Sequence, residues 1–205
     1  MIELLGLPGC GKSTFVRQDP FCQKMYNPLQ SILYSDSRIK QNLNKVYPFI
    51  SFFLNHPRIS RELLKLLLRI KFRNKKSKIK SIVYFYSVLG CIDAGIKKCG
   101  SSNIVLDEGI HQILWGILYV SCDSQKYIKD IWTIVYQIYE SIDIILLCTN
   151  KSIIIERLMK RHDKGGSELQ HDIKNDPFAM EKAISDMEFI CDLAKTKGVI
   201  IKSVS

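Results

Sequence analysis

Residues 6–13, GLPGCGKS, have the types and spacing of a phosphate-binding loop. They satisfy G-x-x-x-x-G-K-[S/T] at every fixed position, and the motif follows an apolar β-type run and opens a helical pattern. Glycines let backbone N–H groups turn toward an anion, and the start of the next helix carries partial positive charge. Lys12 would contact the β- and γ-phosphates, and Ser13 would bind Mg²⁺. The predicted nucleotide contacts are Gly6, Pro8, Gly9, Cys10, Gly11, Lys12, Ser13 and Thr14.

Two carboxylates end a second apolar run, at Asp107 and Glu108. An acid at the end of a strand can hold Mg²⁺ directly or through water, and we predict that role for Asp107. The alternative is an acid that only caps the following loop. Glu108, His111 and Gln112 would lie at the C-terminal edge of the sheet, where open α/β sheets bind ligands.

The elements that must position these residues alternate along the chain. Five short runs rich in β-branched residues are candidate parallel strands: Ile2–Leu7, Ser31–Asp36, Asn103–Glu108, Ile142–Thr149 and Val199–Val204. Helical patterns separate them, near Lys12 and over Arg38–Lys98, Ile110–Tyr139, Ser152–Arg161 and Pro177–Lys197. This alternation predicts an α/β doubly wound parallel sheet in a single domain, residues 1–205, with a helical insertion at 38–100.

Composition excludes several other classes of protein. The 205 residues are 46% hydrophobic and 24% charged, as in a globular domain. The most apolar region, 128–148, contains four charged residues, so no membrane span is expected. Seven scattered cysteines without metal-ligand spacing predict reduced thiols. The first strand begins almost at residue 1, which leaves no room for a secretory segment and predicts a cytoplasmic protein.

The positive charge is concentrated in one segment. Arg38–Lys80 holds thirteen basic residues and one acid, a net charge of +12, while the rest of the chain is −2. Within it, a helix predicted near Ser60–Phe72 has an apolar face and a basic face. That basic face is either a solvated surface or a surface for a phosphorylated substrate, an anionic lipid headgroup or a nucleic acid. Lys75–Lys78 is predicted to be an exposed connection.

Three segments together resemble a known superfamily. GLPGCGKST near the N-terminus, VLDEG at a strand end and IERLMKR later in the chain are similar to the P-loop small-molecule kinases of the nucleoside and nucleotide kinase superfamily. The resemblance covers the core strands and their loops but not the basic insertion. It implies a five-stranded parallel sheet in the order 2-3-1-4-5.

The resemblance also implies roles for residues around the acceptor. In such kinases the loop after the third strand touches the acceptor, so Glu108, His111 and Gln112 are predicted substrate contacts. An acid at the end of the second strand orients or deprotonates the acceptor hydroxyl; Asp36, with Arg38 beside it, is the candidate here. For Asp36 the alternative is an Asx turn or the N-cap of the following helix.

Two arginines four residues apart, Arg157 and Arg161, are predicted to face the same way and clamp the triphosphate. The alternative is a solvated pair on an exposed helix. The resemblance implies that they introduce a lid over the nucleotide, for which residues 162–167, HDKGGS, supply hinge glycines.

The sequence therefore favours an ATP- and Mg²⁺-dependent kinase for a small-molecule acceptor such as a nucleoside, nucleotide or sugar-like metabolite. ATP and another nucleoside triphosphate are not distinguished. The insertion suggests an acceptor that carries a phosphate or carboxylate. The alternative is a P-loop ATPase or binding module that acts on nucleic acid or an anionic membrane surface. A regulatory GTPase is disfavoured because residue 153, where the guanine-reading Asn-Lys-x-Asp needs a carboxylate, is isoleucine. The oligomeric state stays open, with a dimer as one option.

Overall fold

The structure, a computed structural model, describes residues 1–30, 38–139, 142–161 and 167–204, with side chains from residue 44 onward in the first long helix. Its helices of five or more residues are α1 Lys12–Gln18, α2 Arg38–Asn55, α3 Pro57–Arg69, α4 Lys75–Cys99, α5 Ile110–Tyr119, α6 Gln125–Tyr136, α7 Lys151–Lys160, α8 Glu168–Asp172 and α9 Ala179–Lys195. Its strands are β1 Ile2–Leu5, β2 Lys71–Phe72, β3 Val105–Leu106, β4 Ser121–Cys122, β5 Asp143–Leu147 and β6 Ile201–Val204.

A parallel sheet in the order β3-β1-β5-β6 lies at the centre, which confirms the α/β class. Ile2 is in register with Val105 on one side and Asp143 on the other. The phosphate-loop strand is therefore internal, and its Leu4 and Leu5 are fully buried. The predicted second strand, Ser31–Asp36, lies outside the described residues. Just before it, Tyr26 forms a parallel bridge with Ile104, at the start of β3.

A small antiparallel pair, β2 with β4, was not predicted from the sequence. It ends α3 at Arg69 and divides the predicted helix Ile110–Tyr139 into α5 and α6. Two local features break that helix: Asp123 adopts a left-handed backbone, with φ of 49°, and the Ser121 hydroxyl bonds the Ser124 hydroxyl at 2.6 Å. Short polar side chains favour such turns over helix continuation.

The insertion folds as three helices that pack on one another and on the rest of the protein. Phe52, Leu63 and Phe85 belong to the same buried cluster as Leu5 of β1 and Leu106 of β3. The α2 and α4 backbones approach so closely at Gly90 that a Cβ there would lie 2.0 Å from the Pro48 carbonyl oxygen. Only glycine permits this crossing.

The prediction that Lys75–Lys78 forms an exposed connection is wrong, because these residues are the first turn of α4. Asn74 caps the helix by accepting a hydrogen bond from the Ser77 amide at 2.7 Å. Lys78 Nζ donates to the Leu68 and Ile70 carbonyls at the end of α3, at 2.5 and 3.3 Å. A run of lysines predicts an exposed loop. Here the Asn74 cap and the contacts of Lys78 with two carbonyls stabilise the run as the start of a helix.

By length and composition, α4 is apolar enough to cross a membrane, and it is the one such helix among the described residues. More than half of its apolar window is buried inside the fold, against α2 and α5. Its buried side chains include Phe85, Tyr86 and Val88. The apolar character of α4 is thus used in the protein core.

Candidate functional site

The loop between β1 and α1 has a backbone that glycine makes possible. Gly6, Gly9 and Gly11 have φ of 158°, 92° and 105°. A Cβ on Gly6 would lie 2.7 Å from Cys10 Sγ and 3.0 Å from the Leu147 carbonyl oxygen, so the loop closes against β5 only without a side chain there. The first turn of α1 begins directly after Gly11, so the partial positive charge of a helix start lies at the end of the loop. This is the backbone arrangement that a phosphate-binding site requires.

The Lys12 side chain folds back over this loop. Its ammonium donates to the Gly6 carbonyl at 2.6 Å and to the Leu7 carbonyl at 3.4 Å, and lies 3.9 Å from Cys10 Sγ. Thr149 of the loop after β5 donates its hydroxyl to the Cys10 carbonyl at 2.9 Å. The Lys12 side chain is therefore held by carbonyl groups of the loop itself. Thr14 in the same turn is exposed.

The two predicted arginines have different surroundings. Arg157 Nη1 donates to the Gly9 carbonyl at 3.1 Å, which places its guanidinium on the phosphate loop. Helix α7 ends at Lys160, and Arg161 has an extended backbone, with ψ of 135°, and an exposed side chain. Arg161 is thus the C-cap residue of α7, and the predicted clamp by both arginines stays a prediction. The lid residues 162–166 lie outside the described part of the chain.

The two predicted Mg²⁺ ligands, Ser13 and Asp107, line one cavity of about 400 Å³. Asp107 is 2% exposed, and its Oδ1 accepts a hydrogen bond from Asn27 Nδ2 at 3.0 Å. Asn27 itself is fixed because its Oδ1 accepts from the Leu29 amide at 3.0 Å. Arg17 and Gln23 add further polar groups to the lining. Asn27 was missed by the sequence analysis, although Asn-Pro is a known turn signal.

A hydroxyl and a carboxylate on one cavity suit Mg²⁺, which prefers oxygen ligands and retains waters. Within the described ranges, no group of three or more His, Cys, Asp or Glu side chains could hold a metal ion. Mg²⁺ bound at Ser13 and Asp107 would therefore take its other ligands from phosphate oxygens and water.

A buried network behind the loop was not predicted. Glu3 and His111 are both fully buried, and Glu3 Oε2 lies 2.8 Å from His111 Nδ1. Glu3 Oε1 accepts from the Gln112 amide at 2.9 Å, and Gln112 Oε1 accepts from the Gly6 amide at 3.3 Å. The network thus joins β1, the start of α5 and the first amide of the phosphate loop. A lone acid in the apolar run of β1 was the only sequence signal for it.

This network gives His111 and Gln112, two predicted substrate contacts, a supporting role in the structure. The His111 ring packs 4.3 Å from the Trp132 ring, centroid to centroid, inside the core. It has no exposed surface with which to touch an acceptor. Gln112, 7% exposed, supports the phosphate loop through Gly6. In this structure both residues belong to the network that supports the phosphate loop from the side of the protein core.

Glu108 lies at the edge of the sheet beside the insertion. Its Oε2 accepts a hydrogen bond from the Tyr84 hydroxyl at 2.8 Å, and Lys45 Nζ lies 5.6 Å from the Tyr84 ring centroid. Burial lowers the pKa of Lys45 from its usual value and the Lys80 charge adds to this, while the Glu108 carboxylate opposes it. Burial, followed by the Glu108 charge, raises the pKa of Tyr84 well above its usual value. The insertion therefore brings Lys45 and Tyr84 to the predicted acceptor edge.

The other predicted acceptor contacts lie outside what the structure describes. Asp36 is in the segment 31–37, and Arg38 is the first residue of α2, where only the backbone is described. Their roles stay predictions.

A second cavity, of about 630 Å³, opens on the other side of the loop, between β5, α7 and α9. Gly6, Leu7 and Thr149 belong to its lining, which is mainly apolar and includes Ile184 and Met187. Asn150, which also belongs to the lining, caps α7 by accepting from the Ser152 amide at 2.9 Å.

Comparisons of this chain with models of known protein families, with curated proteins and with solved structures gave no match.

Proposed function

We propose that this protein is an ATP- and Mg²⁺-dependent phosphotransferase that moves the γ-phosphoryl group to a hydroxyl of a small-molecule acceptor. The observation that carries the proposal is the loop itself: a G-x-x-x-x-G-K-S segment whose glycines have positive φ, with the Lys12 ammonium 2.6 Å from the Gly6 carbonyl. Such a loop and lysine serve to bind the β- and γ-phosphates.

Four residues support the donor side of the site. Lys12 would exchange its carbonyl partners for phosphate oxygens, and Arg157, already on the Gly9 carbonyl, would add a second positive charge. Ser13 and Asp107 would hold Mg²⁺, which neutralises charge on the phosphate oxygens. Because phosphoryl transfer depends mainly on positioning and charge stabilisation, these few groups suffice for the donor half of the reaction.

For the fold, we propose the full five-strand order 2-3-1-4-5, with Ser31–Asp36 as the strand beyond β3. The parallel sheet β3-β1-β5-β6 has the order 3-1-4-5 when the five predicted strands are numbered along the chain, and the bridge from Tyr26 to Ile104 brings the chain to β3 just before Ser31. A strand there would end in Asp36 at the same edge as Asp107. Asp36 would then orient the acceptor hydroxyl.

On the acceptor side, we propose a substrate that carries an anionic group. Lys45 lies beside Tyr84, whose hydroxyl donates to Glu108. Glu108 is the residue after Asp107 and follows the end of β3. A partly desolvated ammonium binds an anion more strongly than an exposed one, because water screens it less.

Replacing Asp107 with asparagine is expected to raise the Mg²⁺ concentration needed for half-maximal turnover by about 10- to 100-fold. The amide removes the negative charge but can still accept the hydrogen bond from Asn27, so the fold should persist. The measurement is ADP release as a function of Mg²⁺ at fixed ATP and acceptor. Asp130→Asn, an exposed acid on α6, is the control and should match the wild type. An unchanged Mg²⁺ requirement in Asp107→Asn would remove this residue from the metal site.

Replacing Lys45 with alanine is expected to raise the KM for the acceptor by about tenfold, the value of one lost charge-assisted hydrogen bond. The KM for ATP should change less, since Lys45 lies beside the Tyr84 ring, whereas Lys12 and Arg157 contact the phosphate loop. Lys76→Ala removes the same charge from an exposed position of the insertion and serves as the control. An acceptor KM equal to that of Lys76→Ala would contradict the anionic-acceptor proposal.

The proposed activity itself is tested by ADP release with a panel of nucleosides, nucleotides and sugar phosphates. A kinase gives ADP release that depends on an acceptor and survives moderate salt, with a phosphorylated product. ATP turnover stimulated only by nucleic acid or by anionic vesicles, and lost steeply with salt, would instead support the ATPase alternative.

A further inference from the structure

Helix α2 has two apolar faces, and only one of them is buried. The inner face places Phe49, Phe52 and Phe53 around Tyr86 of α4, with ring centroids 5.5, 5.9 and 4.5 Å away. The outer face consists of Val46, Tyr47, Ile50 and Leu54, which are 49%, 77%, 48% and 76% exposed. At 100° per residue these four side chains share an arc of about 100°.

An arc of this width is what a helix usually buries against a protein core. Single exposed apolar residues are common, but four on one helix face form a contiguous patch, and such patches mark sites of interaction. The outer face of α2 therefore has the composition of an interaction surface for an apolar partner.

The next helix presents a basic face. Helix α3 begins at Pro57, directly after α2, and its Arg58, Arg61, Lys65 and Arg69 are exposed. The opposite face, with Leu63 and Leu67, is fully buried. Leu54 of the apolar face and Arg58 of the basic face are four residues apart across the junction. The segment Arg38–Lys80 that carries both faces has a net charge of +12.

We propose that the apolar outer face of α2 and the basic face of α3 form a docking surface for anionic phospholipid membranes. The aliphatic side chains enter the boundary between headgroups and acyl chains, and the guanidinium and ammonium groups bind the phosphates and carboxylates of the headgroups. The protein lies on the membrane surface and does not cross it.

The combination of the two faces favours a lipid surface over other occupants. A second copy of the chain would bring two segments of +12 together, which like-charge repulsion opposes. A nucleic acid would use the basic face and could stack one base on Tyr47, but it would gain little from the three aliphatic side chains Val46, Ile50 and Leu54. An anionic bilayer offers partners for both kinds of side chain.

The test is co-sedimentation of the full-length protein with vesicles of phosphatidylcholine alone and with added phosphatidylserine, at low and at physiological salt. We expect binding to the phosphatidylserine vesicles that weakens with salt, and little binding to neutral vesicles. Ile50→Ser/Leu54→Ser and Arg61→Gln/Lys65→Gln should each reduce the vesicle affinity by roughly tenfold or more.

Matched controls separate this surface from general stickiness or charge. Phe178→Ser/Ile200→Ser removes two apolar side chains of 72% and 58% exposure elsewhere, and Lys97→Gln/Lys126→Gln removes two exposed charges elsewhere. Both controls should bind vesicles like the wild type. Circular dichroism and binding of a fluorescent ATP analogue verify that each variant is folded.

Four results would overturn the proposal. The first is an absence of binding to the phosphatidylserine vesicles by the folded wild type. The second is a loss of affinity in the control variants equal to that in the surface variants. The third is concentration-dependent dimerisation in analytical ultracentrifugation that Ile50→Ser/Leu54→Ser abolishes, since a second copy would then cover the face. Single-stranded oligonucleotide binding that replaces vesicle binding and needs only Arg61 and Lys65 would likewise assign the surface to nucleic acid.

Discussion

Replacing Lys12 with alanine is expected to lower nucleotide turnover by at least about 100-fold, the cost of removing one positioned group that stabilises transition-state charge. In the structure, the Lys12 ammonium lies on the carbonyls of Gly6 and Leu7, within the loop that would surround the phosphates. Alanine keeps the helix start, because α1 begins through backbone bonds from Thr14 and Phe15 to the Gly11 carbonyl. The loss should therefore appear in catalysis and not in folding.

The measurement is acceptor-dependent ADP release, together with binding of a fluorescent ATP analogue and a thermal unfolding midpoint. Lys126→Ala, an exposed lysine on α6, should leave all three unchanged. Turnover by a folded Lys12→Ala variant at the wild-type rate would refute the assignment of residues 6–13 as the nucleotide site.

Replacing Glu3 with alanine is expected to lower the free energy of unfolding by about 3–5 kcal/mol, because two buried groups lose a hydrogen-bond partner at a cost of about 1–3 kcal/mol each. The variant leaves His111 Nδ1 and the Gln112 amide, both buried, without the acceptor that they have at 2.8 and 2.9 Å. It also frees Gln112, which holds the Gly6 amide, so nucleotide affinity should fall as well. Equilibrium unfolding in denaturant gives the stability, and titration with the ATP analogue gives the affinity.

An exposed ion pair on α7 provides the control for the Glu3 variant. Glu156 and Lys160 form an ion pair one turn apart on α7, but both side chains are largely exposed, so Glu156→Ala should be within the error of the stability measurement. Glu3→Gln keeps an oxygen for the Gln112 amide and should lose less stability than Glu3→Ala. Equal stabilities for Glu3→Ala and the wild type would mean that the buried network does not support the loop.

The two predictions concern different parts of one arrangement. Lys12 acts on the side of the loop that would face the nucleotide, and Glu3 acts from the core side through Gln112 and Gly6. A folded but inactive Lys12 variant together with a destabilised Glu3 variant would show that the loop is positioned from behind by a buried carboxylate. Loss of stability in both would point to a structural role for the lysine.

The α/β class and the glycine-dependent backbone of residues 6–11 were within reach of the sequence because their signals are local. Fixed glycine and lysine spacing specifies the loop backbone, and alternating β-branched and helical runs specify parallel strands joined by helices. The run Ile142–Thr149 and the strand Asp143–Leu147 differ only at their ends. The basic face of α3 was also correct, since a 3.6-residue period directly determines which side chains face the core.

The surroundings of the site were decided by tertiary contacts. His111 looked like a substrate contact because it follows a strand end, but helix packing turns it onto Glu3, 108 residues away. Spacing alone placed Arg157 near the phosphates, whereas its contact with the Gly9 carbonyl depends on how α7 packs against the loop. The position of Lys45 beside Tyr84 and Glu108 depends on how the insertion packs on the sheet. Spacing determines local backbone and facing within one element, whereas contacts between elements depend on long-range packing that a single sequence does not display.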